Sequence, residues 1–360
     1  MQIQAWTWRA PDAAPTLETL ELDAPREDEV VVRIVAAGVC HTDLIGPALT
    51  PLPAVFGHEG AGIVEAVGAR VRKVRPGDRV ALTFGSCGAC AGCRDGAPAY
   101  CEHSHALNFG GHRLDGSTTL VSASGPVHGA FFQQSSFASH ALATERNVVQ
   151  VPGDFPLDLA APLGCGVQTG AGAVLNTLAA PAGSSIAVFG AGSVGLSAVM
   201  AASIAGCGPV IAVDIRPERL ALALELGATH AIDARAGGTL EAIRAILPAG
   251  VQYSVETAGT VQSFNDAIDC LAKRGVCGLV TVPLLGKPFE FSPLSILKGR
   301  SVVGVLEGSS DPDTFIPRLM ALHREGRLPY DRFCRRYAFS EVPRALADAA
   351  AGRAIKPIIC

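Results

Sequence analysis

Six residues, Gly190-Ala191-Gly192-Ser193-Val194-Gly195, constrain the fold of this chain more than any others. They match G-x-G-x-x-G and lie between a strand-like apolar run, Ser184 to Gly190, and a helix-like run, Ser193 to Gly206. In that setting the first glycine permits a tight turn, the second lets a pyrophosphate approach the backbone, and the third lets helix pack on strand. The amides at the helix N-terminus then face the phosphates. The same region also has a misleading feature, because Ser184 to Val213 holds no charged residue and is long enough to cross a bilayer. Gly190, Gly192 and Gly195, followed by Gly206, Gly208 and Pro209, interrupt it. A strand, a turn, a helix and a second strand are therefore expected in place of a membrane span.

The alternation continues on both sides of this motif. Thr169 to Ala180 reads as helical, Pro209 to Asp214 as a strand, and Arg216 to Ala228 as a helix with Pro217 near its start. His230–Asp233, Val251–Thr257 and Val276–Val282 supply further strands. Strands alternating with helices predict a parallel sheet covered on both faces. Before Cys165 the pattern differs. Glu29 to Val39, Gly60 to Val71 and the turn-and-strand Arg75 to Leu82 are short β-branched runs between glycine-rich turns, which predict a mainly β lobe. The expected organisation is a first domain over residues 1–166, a doubly wound domain over 167–305, and a return to the first domain over 306–360.

Asp214, at the end of the second strand and nineteen residues beyond Gly195, extends the fingerprint. A carboxylate there accepts hydrogen bonds from the ribose hydroxyls of NAD and repels the additional phosphate of NADP. The other reading of Asp214 is a helix cap ahead of Pro217. Arg216 and Arg219 are close enough in sequence to meet a 2′-phosphate, and Arg219 is retained as a candidate cofactor contact.

Four of the eleven cysteines fall within fifteen residues, as Cys87-x2-Cys90-x2-Cys93-x7-Cys101. Four thiolates within one glycine-rich loop suit a closed tetrahedral zinc. Two disulfides or an iron–sulfur cluster are the alternatives. The N-terminus MQIQAWTWRA does not read as a secretory signal, so a cytoplasmic location is expected, which disfavours disulfides. The x7 gap before Cys101 departs from the usual iron–sulfur spacings.

Three further segments mean little singly: Cys40-His41-Thr42-Asp43, Gly57-His58-Glu59-Gly60 and Gly164-Cys165-Gly166. Taken together, upstream of the fingerprint and beside the four-cysteine loop, they resemble the zinc-dependent medium-chain alcohol dehydrogenases over the whole chain. The resemblance implies an α/β protein in which a Rossmann-type cofactor domain accompanies a mainly β, GroES-like catalytic domain. It implies two zinc ions and NAD. Cys40, His58 and Cys165 match the catalytic-zinc ligands, a Cys2His set known for this family, with Glu59 as the buried acid behind the metal. Cys87, Cys90, Cys93 and Cys101 match the structural site. Thr42 matches the hydroxyl that takes the alcohol proton, and Asp43 the carboxylate that orients His58. His41 and Lys356 match positions that meet the pyrophosphate. Thr169, Val280, Thr281 and Val282 match positions near the nicotinamide, and Gly190, Gly192, Val194 and Gly195 form the phosphate turn.

The segment Pro162 to Asn176, with His41 and Ile45, is most similar to the aryl-alcohol (benzyl alcohol) dehydrogenase branch. That similarity implies primary aromatic or allylic alcohols as substrates, with aldehydes as products. The family resemblance also implies a homo-oligomer, built in part through the strand Ser301 to Leu306. Ile45 stands where some members end a proton relay in histidine, which leaves the proton exit open. The net charge of −4 argues against nucleic acid or an anionic membrane as the main partner.

Overall fold

The structure, a computed structural model, describes residues 1–281 and 290–360. Val282, expected near the nicotinamide, lies outside the described residues. The chain divides into two compact units, one of Met1–Cys165, Asp311–Ala321 and Asp331–Cys360, the other of Gly166–Ser310 and Leu322–Tyr330. The return to the first unit thus starts at Asp311 and is interrupted by Leu322–Tyr330, a crossing that the mixed hydropathy of the last fifty residues does not reveal.

The strands of the first unit up to its long break are β1 (Gln2–Trp8), β2 (Thr16–Leu22), β3 (Glu29–Gly38), β4 (Ala54–Val55), β5 (Glu59–Val67), β6 (Arg79–Leu82), β7 (Leu120–Ser122), β8 (Gly125–Val127), β9 (His140–Thr144) and β10 (Val148–Gln150). Those of the second unit are β11 (Ile186–Phe189), β12 (Val210–Asp214), β13 (His230–Asp233), β14 (Val251–Glu256), β15 (Leu271–Leu279) and β16 (Ser301–Gly304). The first unit then closes with β17 (Cys334–Tyr337) and β18 (Lys356–Ile359).

The first unit carries two sheets, in the orders β4-β1-β2-β7-β8 and β10-β6-β5-β3-β18-β17, with β9 also on β3. Its core joins distant parts of the sequence. Trp6, Trp8, Phe56, Phe131 and Phe137 pack in one cluster with Tyr337, Val342 and Ala345 from the C-terminal return. Burying those apolar side chains is what draws the last segment back. The Trp6 indole N–H adds a hydrogen bond to the Phe339 carbonyl at 2.9 Å.

The second unit is a parallel sheet in the order β13-β12-β11-β14-β15-β16, with its switch between β11 and β14. Every residue of β11 and β12 is buried, as expected where helices cover both faces. The turn after β11 needs its glycines. Gly190 has φ +92°, and a Cβ on Gly195 would lie 1.8 Å from the Gly190 carbonyl oxygen. A Cβ on Gly192 would meet nothing within 4 Å, which leaves a cradle at the first turn of the helix Ser193–Ile204. The uncharged stretch from Ser184 folds as strand, helix and strand, and among the described residues no helix is long and apolar enough to cross a membrane. The predicted helix from Thr169 is an α-helix over Gly166–Gly172 that continues as a π-helix over Ala173–Thr177.

Candidate active site and metal centres

Cys40, His58, Glu59 and Cys165 converge in the first unit, with one donor atom of each lying within 4.8 Å of all the others. Asp43 organises the approach. It is the third residue of the helix His41–Leu49, and its Oδ2 accepts the Cys40 N–H at 2.9 Å. Its Oδ1 accepts the Gly57 N–H at 3.1 Å and lies 2.7 Å from His58 Nδ1. A single carboxylate therefore ties the Cys40 segment to the His58 segment. Because an ionised carboxylate only accepts, Nδ1 carries the hydrogen and the Nε2 lone pair is left for the cluster. Nε2 is fully buried and has no hydrogen-bond partner among the described residues. A buried acceptor without a donor is costly unless something else binds it. Two thiols and this nitrogen are soft and borderline donors of the kind zinc takes, so the residues present fit the metal.

Hydrogen bonding with Cys165 is the main influence holding the Cys40 thiol well below the ordinary thiol range, and the Lys356 ammonium adds to it against the effect of burial. Burial works against a charged His58, but the Asp43 carboxylate and Cys40 together outweigh it and raise the imidazole well above its usual value, so a zinc ion on Nε2 would take the place of a proton there.

Lys356 requires a correction. It was expected at the pyrophosphate, yet its side chain is only 1% exposed and its Nζ lies 2.8 and 2.9 Å from the two Glu59 oxygens and 3.2 Å from the Val39 carbonyl. Three acceptors occupy the three ammonium hydrogens, so none faces solvent to meet a phosphate. Strand register explains this placement. Gly38 of β3 is paired with Glu59 of β5 on one side and with Ile358 of β18 on the other. Lys356 shares the face of Ile358 two residues on, which carries its amine to the Glu59 carboxylate. Gly38 makes the room, since a Cβ there would stand 2.0 Å from Glu59 Oε2.

Sequence reasoning also missed the rings that enclose His58. Phe132 lies over its imidazole with centroids 4.5 Å apart, and Phe131 meets it edge-on at 5.7 Å. Phe109 packs on both phenylalanines, at 6.0 Å from Phe131 and 5.2 Å from Phe132. Gln134, fully buried, accepts the Gly60 N–H at 2.9 Å and donates to the His58 carbonyl at 2.8 Å. No spacing signal marks these residues. Thr42 is half-buried near the Cys40 sulfur, His41 is exposed at the start of its helix, and Ile45 is half-buried.

The four-cysteine loop forms a second cluster. Cys87 Sγ is 4.0 Å from Cys93 Sγ, and Cys90 Sγ is 3.9 Å from Cys101 Sγ. Disulfide sulfurs stand at about 2.0 Å, so these are not bonded pairs. A tetrahedron of sulfurs around zinc, with Zn–S about 2.3 Å, has edges of about 3.8 Å. Backbone amides converge on the same sulfurs, Cys87 N–H on Cys101 Sγ at 3.3 Å and Cys90 N–H on Cys87 Sγ at 3.3 Å. The Glu102 N–H is the first cause holding the Cys90 thiol down at about 6. This cluster fits a closed zinc site.

In the second unit Asp214 ends β12, as a ribose-binding acid requires, but its carboxylate is also part of the glycine turn. Its Oδ2 accepts the Ala191 N–H at 2.5 Å and its Oδ1 the Arg216 N–H at 2.8 Å. Arg219 is half-buried, and Asp214 is among its charged neighbours. Val194 and Val280 are half-buried, and Thr169 is buried with its hydroxyl 3.4 Å from Glu307 Oε2.

Known proteins place these features in one family. Residues 26–153 match the alcohol dehydrogenase GroES-like domain, and residues 193–323 match the zinc-binding dehydrogenase domain. A geraniol dehydrogenase from Castellaniella defragrans is 46% identical over 348 residues, spanning 95% of this chain and 93% of that protein. A crystal structure of an alcohol dehydrogenase zinc-binding domain protein from Burkholderia ambifaria superposes with a TM-score of 0.97 at 52% identity, covering 100% of this chain and 98% of the other. The crystal structure of benzyl alcohol dehydrogenase from Acinetobacter calcoaceticus does so with a TM-score of 0.96 at 42% identity, covering 100% and 99%. With both domain types matched in order and a relative this similar along nearly its whole length, the chain belongs to the zinc-dependent medium-chain alcohol dehydrogenases.

Proposed function

We propose that this protein oxidises primary aromatic or allylic alcohols to aldehydes, reversibly, by passing a hydride to NAD. The observation that carries the reading is the apolar surround of the Cys40, His58 and Cys165 cluster, where Phe109, Phe131 and Phe132 pack around the imidazole and keep it dry. An apolar site gains roughly 25 cal/mol for each Å² of substrate ring that it removes from water. The activities named for the two relatives, on geraniol and on benzyl alcohol, support the same class. Cys40, His58 and Cys165 would hold a zinc ion, which would supply the Lewis acidity that lowers the pKa of an alcohol hydroxyl. Asp43 keeps His58 in the tautomer that presents Nε2, Thr42 is the hydroxyl proposed to receive the alcohol proton, and the paired Glu59 and Lys356 keep the rear of the cluster neutral. Cys87, Cys90, Cys93 and Cys101 are proposed to hold a second zinc. With NAD, kcat/KM for benzyl alcohol is expected to exceed that for ethanol by at least about a hundredfold, as burying a ring's worth of surface implies. Geraniol and cinnamyl alcohol belong in the same panel. A benzyl-to-ethanol ratio near or below one would leave the family membership standing and remove the substrate class.

The choice of NAD rests on Asp214. A 2′-phosphate beside that carboxylate is a like-charge contact costing several kcal/mol. Wild-type enzyme is expected to prefer NAD over NADP by at least about a hundredfold in kcat/KM. Asp214→Gly is expected to narrow the preference and also to weaken NAD binding, because the Ala191 amide loses its acceptor. Equal use of both cofactors by the wild type would refute the role given to Asp214.

As partners we propose a small alcohol or aldehyde and further copies of this chain, in a cytoplasmic dimer or tetramer. The edge position of β16 in its sheet and the half-exposed Leu306 just after it support that assembly.

A further inference from the structure

Glu307 stands in a conformation that side chains avoid. Its φ is +47°, and the two residues after it are also left-handed, Gly308 at +66° and Ser309 at +49°. A residue with a Cβ adopts that region only where its surroundings impose it. Here the helical segment of the same unit does so. Ser310 Oγ lies 2.7 Å from the Glu307 carbonyl and 3.0 Å from Gln168 Oε1. Asn176 donates to the Gly308 carbonyl at 3.1 Å, and the Thr177 and Ser309 hydroxyls meet at 2.6 Å. Gly308 also lies so close to the helix that a Cβ on it would stand 2.3 Å from the Gln168 carbonyl. The outcome is a carboxylate turned toward Gln168 and Thr169, whose Nε2 and Oγ1 both lie 3.4 Å from Glu307 Oε2.

The sheet order gives the side of a bound dinucleotide on which Glu307 would stand. A dinucleotide lies outside the carboxyl ends of such strands, with its pyrophosphate at the switch point. The cradle at Gly192 sits after β11 and Asp214 ends β12, so the adenosine half belongs over that side. The nicotinamide half is left to the carboxyl ends of β14, β15 and β16. Register aligns those ends, with Glu256 opposite Leu279 and Leu279 opposite Gly304. Glu307 follows Gly304 by three residues. Glu256, at the end of β14, accepts from the Ala258 and Gly259 amides and the Ser263 hydroxyl that follow it, and from the Thr281 hydroxyl beyond β15.

The nicotinamide ring is the one part of the cofactor whose charge changes in the reaction, being a cation when oxidised and neutral when reduced. We infer that Glu307 is a fixed counter-charge for the oxidised ring, so that the protein binds NAD+ more tightly relative to NADH than it would without this carboxylate. The inference rests on the dinucleotide reading proposed above. Its consequence is directional: a site that holds the cation and releases the neutral form favours turnover toward aldehyde.

The test is a pair of binding titrations on the zinc-loaded enzyme, wild type and Glu307→Gln, with NAD+ and NADH at one pH. The neutral variant is expected to raise the Kd for NAD+ about tenfold, a modest Coulombic effect for a half-buried pair, and to change the Kd for NADH by less than about twofold. Glu307→Asn serves as a second neutral variant, because asparagine tolerates the left-handed region, and Glu307→Asp should restore most of the discrimination. Equal weakening of both forms, or no change in either, would overturn the counter-charge. A wild type that bound neither form would remove the dinucleotide reading and this inference with it. A wild type that bound both, with a ratio unmoved by the variants, would remove this inference alone.

Discussion

Cys165→Ser is expected to lower kcat for alcohol oxidation by at least about three orders of magnitude, the scale on which loss of a catalytic Lewis acid acts, while leaving the fold intact. Zinc content should fall from about two ions per chain to about one, since the two donor sets are separate in sequence and in space. A serine hydroxyl is a poor replacement for a thiolate, and the remaining pair of donors cannot hold the ion as three do. The fold should survive because Cys165 lies at the boundary of the first unit and the four-cysteine loop retains its own cluster. Circular dichroism and metal analysis on the same sample separate the two effects. An active variant, or a wild type with one zinc or none, would sink the assignment of Cys40, His58 and Cys165.

Lys356→Met is expected to destabilise the protein by about 3–5 kcal/mol, the usual cost of leaving one member of a buried ion pair unpaired. Both partners are almost completely buried, and the pair bridges residues 297 positions apart in sequence. In Glu59→Gln/Lys356→Met no uncompensated charge remains, and more than half of the loss should return. Midpoints of chemical denaturation measure both variants. If Lys356 were an exposed phosphate-binding residue, its removal would shift the midpoint by less than about 0.5 kcal/mol and weaken cofactor binding instead.

What was legible in the sequence is what depends on neighbouring residues. The glycine turn at Gly190–Gly195 and the sulfur cluster at Cys87–Cys101 are built within short stretches, so their residue types and spacing describe the structure directly. The alternation of strands and helices after Cys165 was legible for the same reason, because each element's period is local. The chemistry of Cys40, His58 and Cys165 was legible only by resemblance, since residues so far apart carry no spacing that implies a shared site. Tertiary structure alone decided the rest. Lys356 reaches Glu59 because β18 and β5 both pair with β3 at Gly38. Phe131 and Phe132 enclose His58 because the core folds around it, and Glu307 takes a left-handed backbone because the segment around Gln168 leaves it no other. Such placements follow from strand register and close packing, which join residues by distance in space, and single-sequence periodicity carries no record of that distance.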